Sequence, residues 1–252
     1  MIKDNTILME LVNKTVDEKS KNLVQIGSLA SAHQYLLLYK LIRKFIPLGS
    51  KVLDWGAGIG HFSYFLCRAG YRAVGFSLED FSFKEWLKNY SDYKFVKGNV
   101  SEPTILNFKN NSFDGVVSVG VLEHVHEFGG NETLSMREIL RILKPGGVFI
   151  CYHLPNRYSL IEFLGKLLTN KFHHTHRYTR SDINKLAKNI GFELITAGRY
   201  GILPRNSLGK LPNFLKFSKL LAIIWDLMDQ FLGLFFLILC QNYFFVARKP
   251  KI

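Results

Sequence analysis

The sequence is poor in cysteine and lacks the short motifs of several common protein classes. Its three cysteines form no C-x-x-C pair, and the first 21 residues carry too many charges for a secretory signal. We therefore predict a reducing, cytoplasmic location. The 252 residues are 48% hydrophobic, which is enough to bury the core of one globular domain.

Negative charge is scarce in the second part of the chain. The net charge is +13, of which residues 1–150 contribute +3 and residues 151–252 contribute +10. Such an excess favours an anionic partner, which could be an acidic substrate, an anionic lipid surface or nucleic acid. A solvated basic face that aids solubility is the alternative.

Short apolar strands alternate with helical stretches along the middle of the chain. The predicted strands cover residues 51–56, 72–77, 94–100, 113–120, 146–154 and 192–198. The predicted helices between them cover residues 60–69, 81–89, 132–143 and 181–190. This alternation predicts an α/β fold in which helices cover both faces of a parallel sheet.

Both ends of the chain carry further apolar patterns. Helical spacing over 23–45 predicts an N-terminal helix, residues 213–232 an amphipathic helix, and residues 235–249 a final strand. No charge occurs between Asp229 and Arg248, which is close to the length of a membrane span. We favour a buried strand, because Gly233 divides the run and its second half is rich in aromatic and β-branched residues.

Residues 52–62, VLDWGAGIGHF, place three glycines directly after an apolar strand. Glycine lets main-chain N–H groups approach a ligand closely. A dinucleotide-binding fingerprint would need its third glycine at position 61, which is His61, and no Gly-Lys-Ser/Thr is present to close a phosphate loop. The acid Asp54, two residues before the first glycine, suits a ligand with an ammonium group.

The order of motifs resembles the class I S-adenosylmethionine-dependent methyltransferases. VLDWGAGIG is followed by strands that end in AVGFS and KGNV, then by FDGVVSVGVLEHV and LKPGG. The resemblance covers about residues 45–198 and is strongest to small-molecule and quinone-type enzymes. It implies a Rossmann-like three-layer sandwich with a mostly parallel seven-stranded sheet whose last strand is antiparallel.

The resemblance also implies S-adenosylmethionine as the cofactor. Asp54 would hold its ammonium group, with capping of the following turn as an alternative role. The turn that packs against the methionine part comprises Gly56, Ala57, Gly58 and Gly60. The remaining cofactor contacts would come from Phe76, Ser77, Asn99, Val100, Val119 and Leu122. Core packing is the alternative role for Val100, Val119 and Leu122.

Ser77 departs from the family pattern, in which many relatives end the second strand with an acid that binds both ribose hydroxyls. A hydroxyl forms weaker hydrogen bonds than a carboxylate. Glu79 or Asp80 could substitute from the following loop. Ser77 also supports an alternative function, in which the chain is a non-catalytic cofactor-binding or scaffold protein.

Methyl transfer depends mainly on alignment, and a base is needed only where the acceptor loses a proton. Candidate bases are His124, His153 and His176. In the family, the histidine of VLEHV usually has a structural role, which is the alternative for His124. The cluster that includes His173, His174 and His176 lacks a carboxylate or cysteine at a recognisable ligand spacing, so we predict no metal.

We predict one domain over residues 1–252, with a helical cap (1–47), a cofactor-binding core (48–198) and an amphipathic C-terminal part (199–252). Its expected activity is methylation, at oxygen, of a small or lipid-linked acceptor, and the basic charge makes an anionic acceptor one option. Residues 157–168 could form a lid or a helix on the inner membrane surface, or a buried helix. An RNA methyltransferase is a less favoured alternative, because no aromatic stacking platform is recognisable. The oligomeric state is left open.

Overall fold

The computed structural model describes residues 2–17, 23–79, 84–169 and 174–251. In this part of the chain, two compact units are present. The first unit comprises residues 1–41, 158–173 and 199–241, and the second comprises residues 42–157, 174–198 and 242–252. The prediction of a single domain over residues 1–252 stays a prediction.

A seven-stranded sheet organises the second unit. Its strands are β1 Lys51–Trp55, β2 Arg72–Ser77, β3 Lys94–Lys97, β4 Phe113–Val119, β5 Leu143–Pro155, β6 Glu193–Tyr200 and β7 Asn242–Arg248. The strand order is β3-β2-β1-β4-β5-β7-β6. Strands β1 to β5 pair in parallel, and β7 is antiparallel to β5. The predicted fold class is therefore confirmed.

Helices of the second unit pack on the sheet through their apolar faces. The α-helices of the described residues are α1 Asp4–Asp17, α2 Leu29–Ala32, α3 Leu36–Phe45, α4 His61–Ala69, α5 Lys84–Leu87, α6 Glu132–Ile142, α7 Leu160–Thr169, α8 Arg180–Ile190, α9 Asn213–Lys216 and α10 Lys219–Phe235. Helices α6 and α8 pack on the sheet through a core that includes Met136, Ile183 and Phe149. Helix α4 packs against β1 and β2.

Three predicted elements differ from the observed ones. The continuous helix expected over 23–45 is wrong, because a Ser28–Ser31 capping box starts the short helix α2 and a 3-10 turn over His33–Tyr35 separates it from α3. The helix expected over 213–232 is two helices, α9 and α10, and Ser218 caps the second. The final strand begins at Asn242, because α10 continues to Phe235 and a 3-10 turn follows.

Other predicted elements are confirmed closely. Helices α4, α6 and α8 match their predicted ranges within one residue at each end. The helix expected over 81–89 is present as α5, while residues 80–83 lie outside the described part. Within the described residues, no helix is both long and apolar enough to cross a membrane.

Two inward-facing acids connect α10 to the rest of the first unit. Asp226 accepts from His33 Nδ1 at 2.7 Å and pairs with Arg205 at 2.8 Å. Asp229 accepts the backbone N–H groups of Ile202 and Leu203, both at 2.8 Å. Burial raises the pKa of Asp226, but His33 and Arg205 outweigh burial and leave it below its usual range. These contacts set which face of α10 points inward.

Replacing Arg205 with methionine tests this arrangement. The change leaves Asp226 and Asp229 largely buried without their shared cation, so we expect the first unit to lose up to about 3–5 kcal/mol of stability. Hydrogen exchange of peptides from residues 219–235 measures the loss, and the exposed Lys210→Met is the control. Unchanged protection in Arg205→Met would contradict the ionic attachment of α10.

Candidate functional site

The turn after β1 has a backbone that favours glycine. Gly56, Gly58 and Gly60 have φ values of +80°, +47° and +83°, a region that other residues rarely adopt. The N–H groups of Gly56 and Ala57 both donate to the carbonyl of Phe76 at 2.8 Å, which connects the ends of β1 and β2. Gly60 is the N-cap of α4, so the turn leads directly into a helix N-terminus.

A Cβ at Gly56 would lie 2.3 Å from a methyl group of Val121. That distance is far below van der Waals contact, because Val121 already fills the space beside the turn. Glycine at position 56 therefore lets the turn pack directly against Val121 at the carboxyl end of β1.

Gly56 and Val121 both line a cavity of about 340 Å³ in the second unit. This volume is within the range of small-molecule sites. The wall is formed by Trp55, Gly56, Phe76, Ser77, Leu78, Glu79, Pro103, Gly120, Val121, His124, Val125, Glu127, Phe128, Gly130 and Ser135. Four predicted site residues meet here: Gly56, Phe76, Ser77 and His124.

Asp54 lies buried at the base of the glycine turn. Its carboxylate accepts from Ser63 Oγ on α4 at 2.6 Å. Burial raises its pKa from the usual 3.8 to about 7, and the hydrogen bonds from Ser63 only partly offset this effect. A cationic group close by would stabilise the charged carboxylate. Asp54 is buried and is not part of the cavity wall, so its contact with an ammonium group stays a prediction, although its raised pKa is compatible with a cation nearby.

Glu79 shares the cavity wall with Ser77. The Glu79 backbone N–H donates to Ser77 Oγ at 3.4 Å, which holds the start of the loop against the end of β2. A carboxylate is thus present two residues beyond the position where many family members carry their acid. Asp80, the other predicted substitute, lies outside the described residues.

The other predicted cofactor residues do not line this cavity. Ala57, Gly58 and Gly60 belong to the turn, and Leu122 is fully buried in the core. Val119 ends β4, where it pairs with Tyr152. Asn99 follows β3 and bonds locally to Ser101 and Glu102, while Val100 is exposed. The cofactor roles of these residues stay predictions.

His124 is the candidate base that reaches the cavity. Its Nδ1 lies 2.7 Å from Glu127 Oε1, and both residues are in the cavity wall. A carboxylate that holds one imidazole nitrogen orients the other, which is the usual arrangement of a histidine base. Its Nε2 lies 4.0 Å from Oε1 of the buried Glu123.

His153 occupies a strained position in β5. Its φ is +63°, at the point where the pairing of β5 with β7 shifts register between Cys151 and Leu154. Gly120, a residue of the cavity wall, lies close to His153: a Cβ added to Gly120 would be 3.8 Å from the Cβ of His153. Burial, with smaller contributions from His61 and His174, lowers its pKa to about 3. His153 is therefore neutral at pH 7 and a weak base.

Two groups of histidines and carboxylates lie beside the cavity. Glu123, His124 and His174 place ligand-type atoms within 4.8 Å of one another, as do His126, Glu132 and His176. In the second group, Glu132 accepts from Tyr178 at 2.6 Å and bonds His126 at 2.7 Å, while the rings of His126 and His176 stack at 4.1 Å. Each group contains one carboxylate that the spacing of the histidines in the sequence did not reveal. Glu123 comes from the segment after β4, and Glu132 comes from α6.

His173 lies outside the described residues. The prediction of no metal stays a prediction.

Comparison with known proteins identifies the family. A family model described as "Methyltransferase domain" matches residues 27–197. The chain belongs to this family. It is a class I S-adenosylmethionine-dependent methyltransferase, and S-adenosylmethionine is its cofactor.

Similar proteins include two curated enzymes. The chain is 33% identical over 128 residues to a sterol 24-C-methyltransferase of Yarrowia lipolytica, a match that covers 48% of this chain and 31% of the relative. It is 28% identical over 156 residues to a demethylmenaquinone methyltransferase of Staphylococcus aureus, covering 59% and 62%. The matches span less than two thirds of either relative.

Among solved structures, the fold is similar to Haemonchus contortus phosphoethanolamine N-methyltransferase 2 in complex with S-adenosyl-L-methionine. The TM-score is 0.56 and the identity 21%, and the alignment covers 86% of this chain and 53% of the other. At this identity, the likeness shows the fold alone.

Sequence reasoning missed several residues of the cavity wall. Trp55 and Gly120 end neighbouring strands, so their position beside the glycine turn could have been expected from a parallel sheet. Glu127 and Phe128 lie in the 3-10 segment after β4, and Pro103 lies in an irregular loop. Nothing in the periodicity of those segments indicates that they face the cavity.

The Asp54→Asn variant should change protein stability and cofactor binding in opposite directions. The asparagine removes a carboxylate whose ionised form is costly to bury, so we expect the free energy of unfolding of the cofactor-free protein at pH 8 to increase by roughly 1–4 kcal/mol. Binding of S-adenosylmethionine should weaken.

The stability of the wild type should fall as pH rises from about 4 to about 7. In this range the folded state keeps the Asp54 proton, whereas the unfolded chain loses it.

Calorimetric titration and thermal melts across pH 5–9 measure both effects. Wild-type affinity should weaken below about pH 7, where Asp54 must lose a proton first, and again above about pH 8, where a free α-amino group loses its charge. Equal cofactor affinity in Asp54→Asn and the wild type would exclude an ammonium contact.

Glu79→Gln tests the substitute for the missing acid. If the Glu79 carboxylate binds the ribose hydroxyls, the change should weaken S-adenosylmethionine binding about tenfold, or roughly 1.4 kcal/mol. Glu193→Gln, at an exposed position on β6, is the control and should leave the dissociation constant unchanged. If both variants bind like the wild type, Glu79 has no role in holding the ribose.

Proposed function

We propose that this enzyme transfers the methyl group of S-adenosylmethionine to a lipid-linked acceptor, at oxygen, by direct displacement. The observation that carries the proposal is a largely apolar cavity at the carboxyl ends of β1, β2 and β4, with one oriented histidine in its wall. The names of the two curated relatives, a sterol and a demethylmenaquinone methyltransferase, support an apolar acceptor. The basic excess of residues 151–252 supports an acceptor or surface that is anionic.

The cofactor supplies an already activated methyl group on its sulfonium. The chain's own residues then have to hold the cofactor, exclude water and align the acceptor. Asp54 is the proposed contact for the ammonium group, the glycine turn leaves room for the methionine part, and Glu79 is proposed to replace the acid missing at Ser77. Apolar side chains such as Phe76 and Val121 would exclude water from the reacting atoms.

His124 is the proposed proton acceptor for a hydroxyl of the acceptor. It lies in the cavity wall, and Glu127 holds its Nδ1, so that Nε2 can take the proton while the imidazolium is stabilised by the carboxylate. Burial lowers the pKa of His153, which is proposed to shape the end of β5 behind Gly120. His176, stacked on His126, is proposed to border the acceptor path.

Transfer of a labelled methyl group tests the function directly. The purified enzyme is incubated with tritiated S-adenosylmethionine and vesicles that contain either a polyprenyl demethylquinol or a sterol, with RNA as a competing acceptor. We expect label in the chloroform-extractable fraction and, by mass spectrometry, one methyl group on oxygen. Methylation on carbon would overturn the oxygen assignment, label in RNA would support the alternative acceptor, and no detectable cofactor binding would support a scaffold.

Two glycine variants control this experiment. Gly58→Arg places a long side chain in the cofactor turn and should reduce transfer by at least about 100-fold. Gly49→Arg carries a similar positive-φ cost at +79° and the same added charge, but lies before β1, at the other end of the strand. It should keep transfer within a factor of about three of the wild type, since a change remote from the reacting groups leaves their alignment intact.

A further inference from the structure

Helix α10 exposes a row of large apolar side chains, which we call the α10 outer face. It comprises Leu220, Ile223, Ile224, Leu227, Met228, Phe231, Leu234 and Phe235. These residues recur at intervals of three and four, as one face of a helix requires. Leu227, Phe231 and Leu234 are 62%, 61% and 80% exposed. A continuous apolar surface of this kind usually marks an interaction site.

The polar contacts of α10 point to the opposite side. Asp226 bonds His33 and Arg205, and Asp229 bonds Arg205 and the backbone N–H groups of the segment after β6. An ordinary surface helix has its acids in water and its apolar stripe on the core. Here the arrangement is reversed, and the ion pairs prevent the helix from rotating to bury its apolar face.

The exposed charges on α10 and in the segment just before it are positive. On α10 itself, the exposed polar residues are Lys219 and Gln230. Lys210 and Lys216 precede the helix, and Lys210 is exposed. The helix thus combines an apolar face with lysines at one end and no exposed carboxylate of its own, which suits an interfacial helix on anionic lipids.

We propose that α10 lies in the plane of an anionic membrane and inserts its outer face between the lipids. A second copy of the chain is the competing occupant, but two chains of net charge +13 repel each other, whereas an anionic lipid surface attracts them. This inference deepens the lipid-linked acceptor proposed above, since a surface-bound enzyme meets such an acceptor where it resides.

Helix α7, in the same unit, gives an independent observation. Leu160, Phe163 and Leu167 form a second apolar row with the same helical spacing, and the last two are 61% and 69% exposed. Lys166 on this helix is exposed and Glu162 is half-buried, so the charges of α7 balance. A second exposed apolar row is expected for a protein that contacts lipid at more than one place.

Co-sedimentation of the full chain with vesicles tests the proposal, without cofactor or acceptor. Vesicles of phosphatidylcholine alone are compared with vesicles that also contain phosphatidylglycerol. We expect the wild type to pellet with the anionic vesicles, and the double variant Leu227→Glu, Phe231→Glu to lose at least about tenfold in partitioning. The matched control is Leu48→Glu, Leu134→Glu, which changes the charge equally at exposed leucines of the second unit and should pellet like the wild type.

Each other outcome overturns the proposal. A wild type that stays in solution excludes a lipid surface, and equal losses in both double variants would mean that added charge alone weakens binding. A wild-type dimer in gel filtration that the Leu227→Glu, Phe231→Glu variant converts to a monomer, without vesicle binding, would assign the face to a second copy. Transfer to a detergent-solubilised acceptor should persist in this variant, so a failed membrane proposal and a failed function give different results.

Discussion

The carboxyl end of β1 passes into a turn that only a flexible backbone can make, and the proposed cofactor site depends on this turn. Three glycines with positive φ lie within five positions of this turn, and the carbonyl of Phe76 accepts the N–H groups of Gly56 and Ala57. The same turn ends at the N-terminus of α4, from which Ser63 reaches back to Asp54. The glycine turn, the N-terminus of α4 and the buried Asp54 are therefore connected by direct contacts.

Buried carboxylates recur in this protein, and their surroundings differ. Asp54 and Glu123 have few donors, and burial raises the pKa of each, to about 7 and about 8. Asp226 and Asp229 have cationic and N–H partners and serve to hold a helix. An ionised carboxylate that is buried with few hydrogen-bond donors destabilises the ligand-free protein. A cationic ligand bound beside it offsets this destabilisation. This contrast separates the proposed binding acid from the structural ones.

Much of the fold could be read from local sequence, because its determinants are local. Strand-length apolar runs, the Asn131 and Thr179 caps of α6 and α8, and the glycines after β1 each act within a few residues. The errors arose where one apolar run holds two elements. Periodicity continues through 23–45 and 213–232, whereas the observed breaks depend on caps at Ser28 and Ser218. In the candidate site, Gly56, Phe76, Ser77 and His124 were found from motifs, but Glu127 was not.

The sequence by itself determined the order of strands and helices, the glycine turn and the family, because each is encoded in contiguous residues. Only the tertiary structure decided which side chains meet. Glu79 joins Ser77 and His124 in one wall because parallel strands bring their carboxyl ends together. The direction of α10 was decided in the same way: periodicity shows that the helix has two faces, but which one points inward depends on His33, 193 residues away from Asp226, and on Arg205.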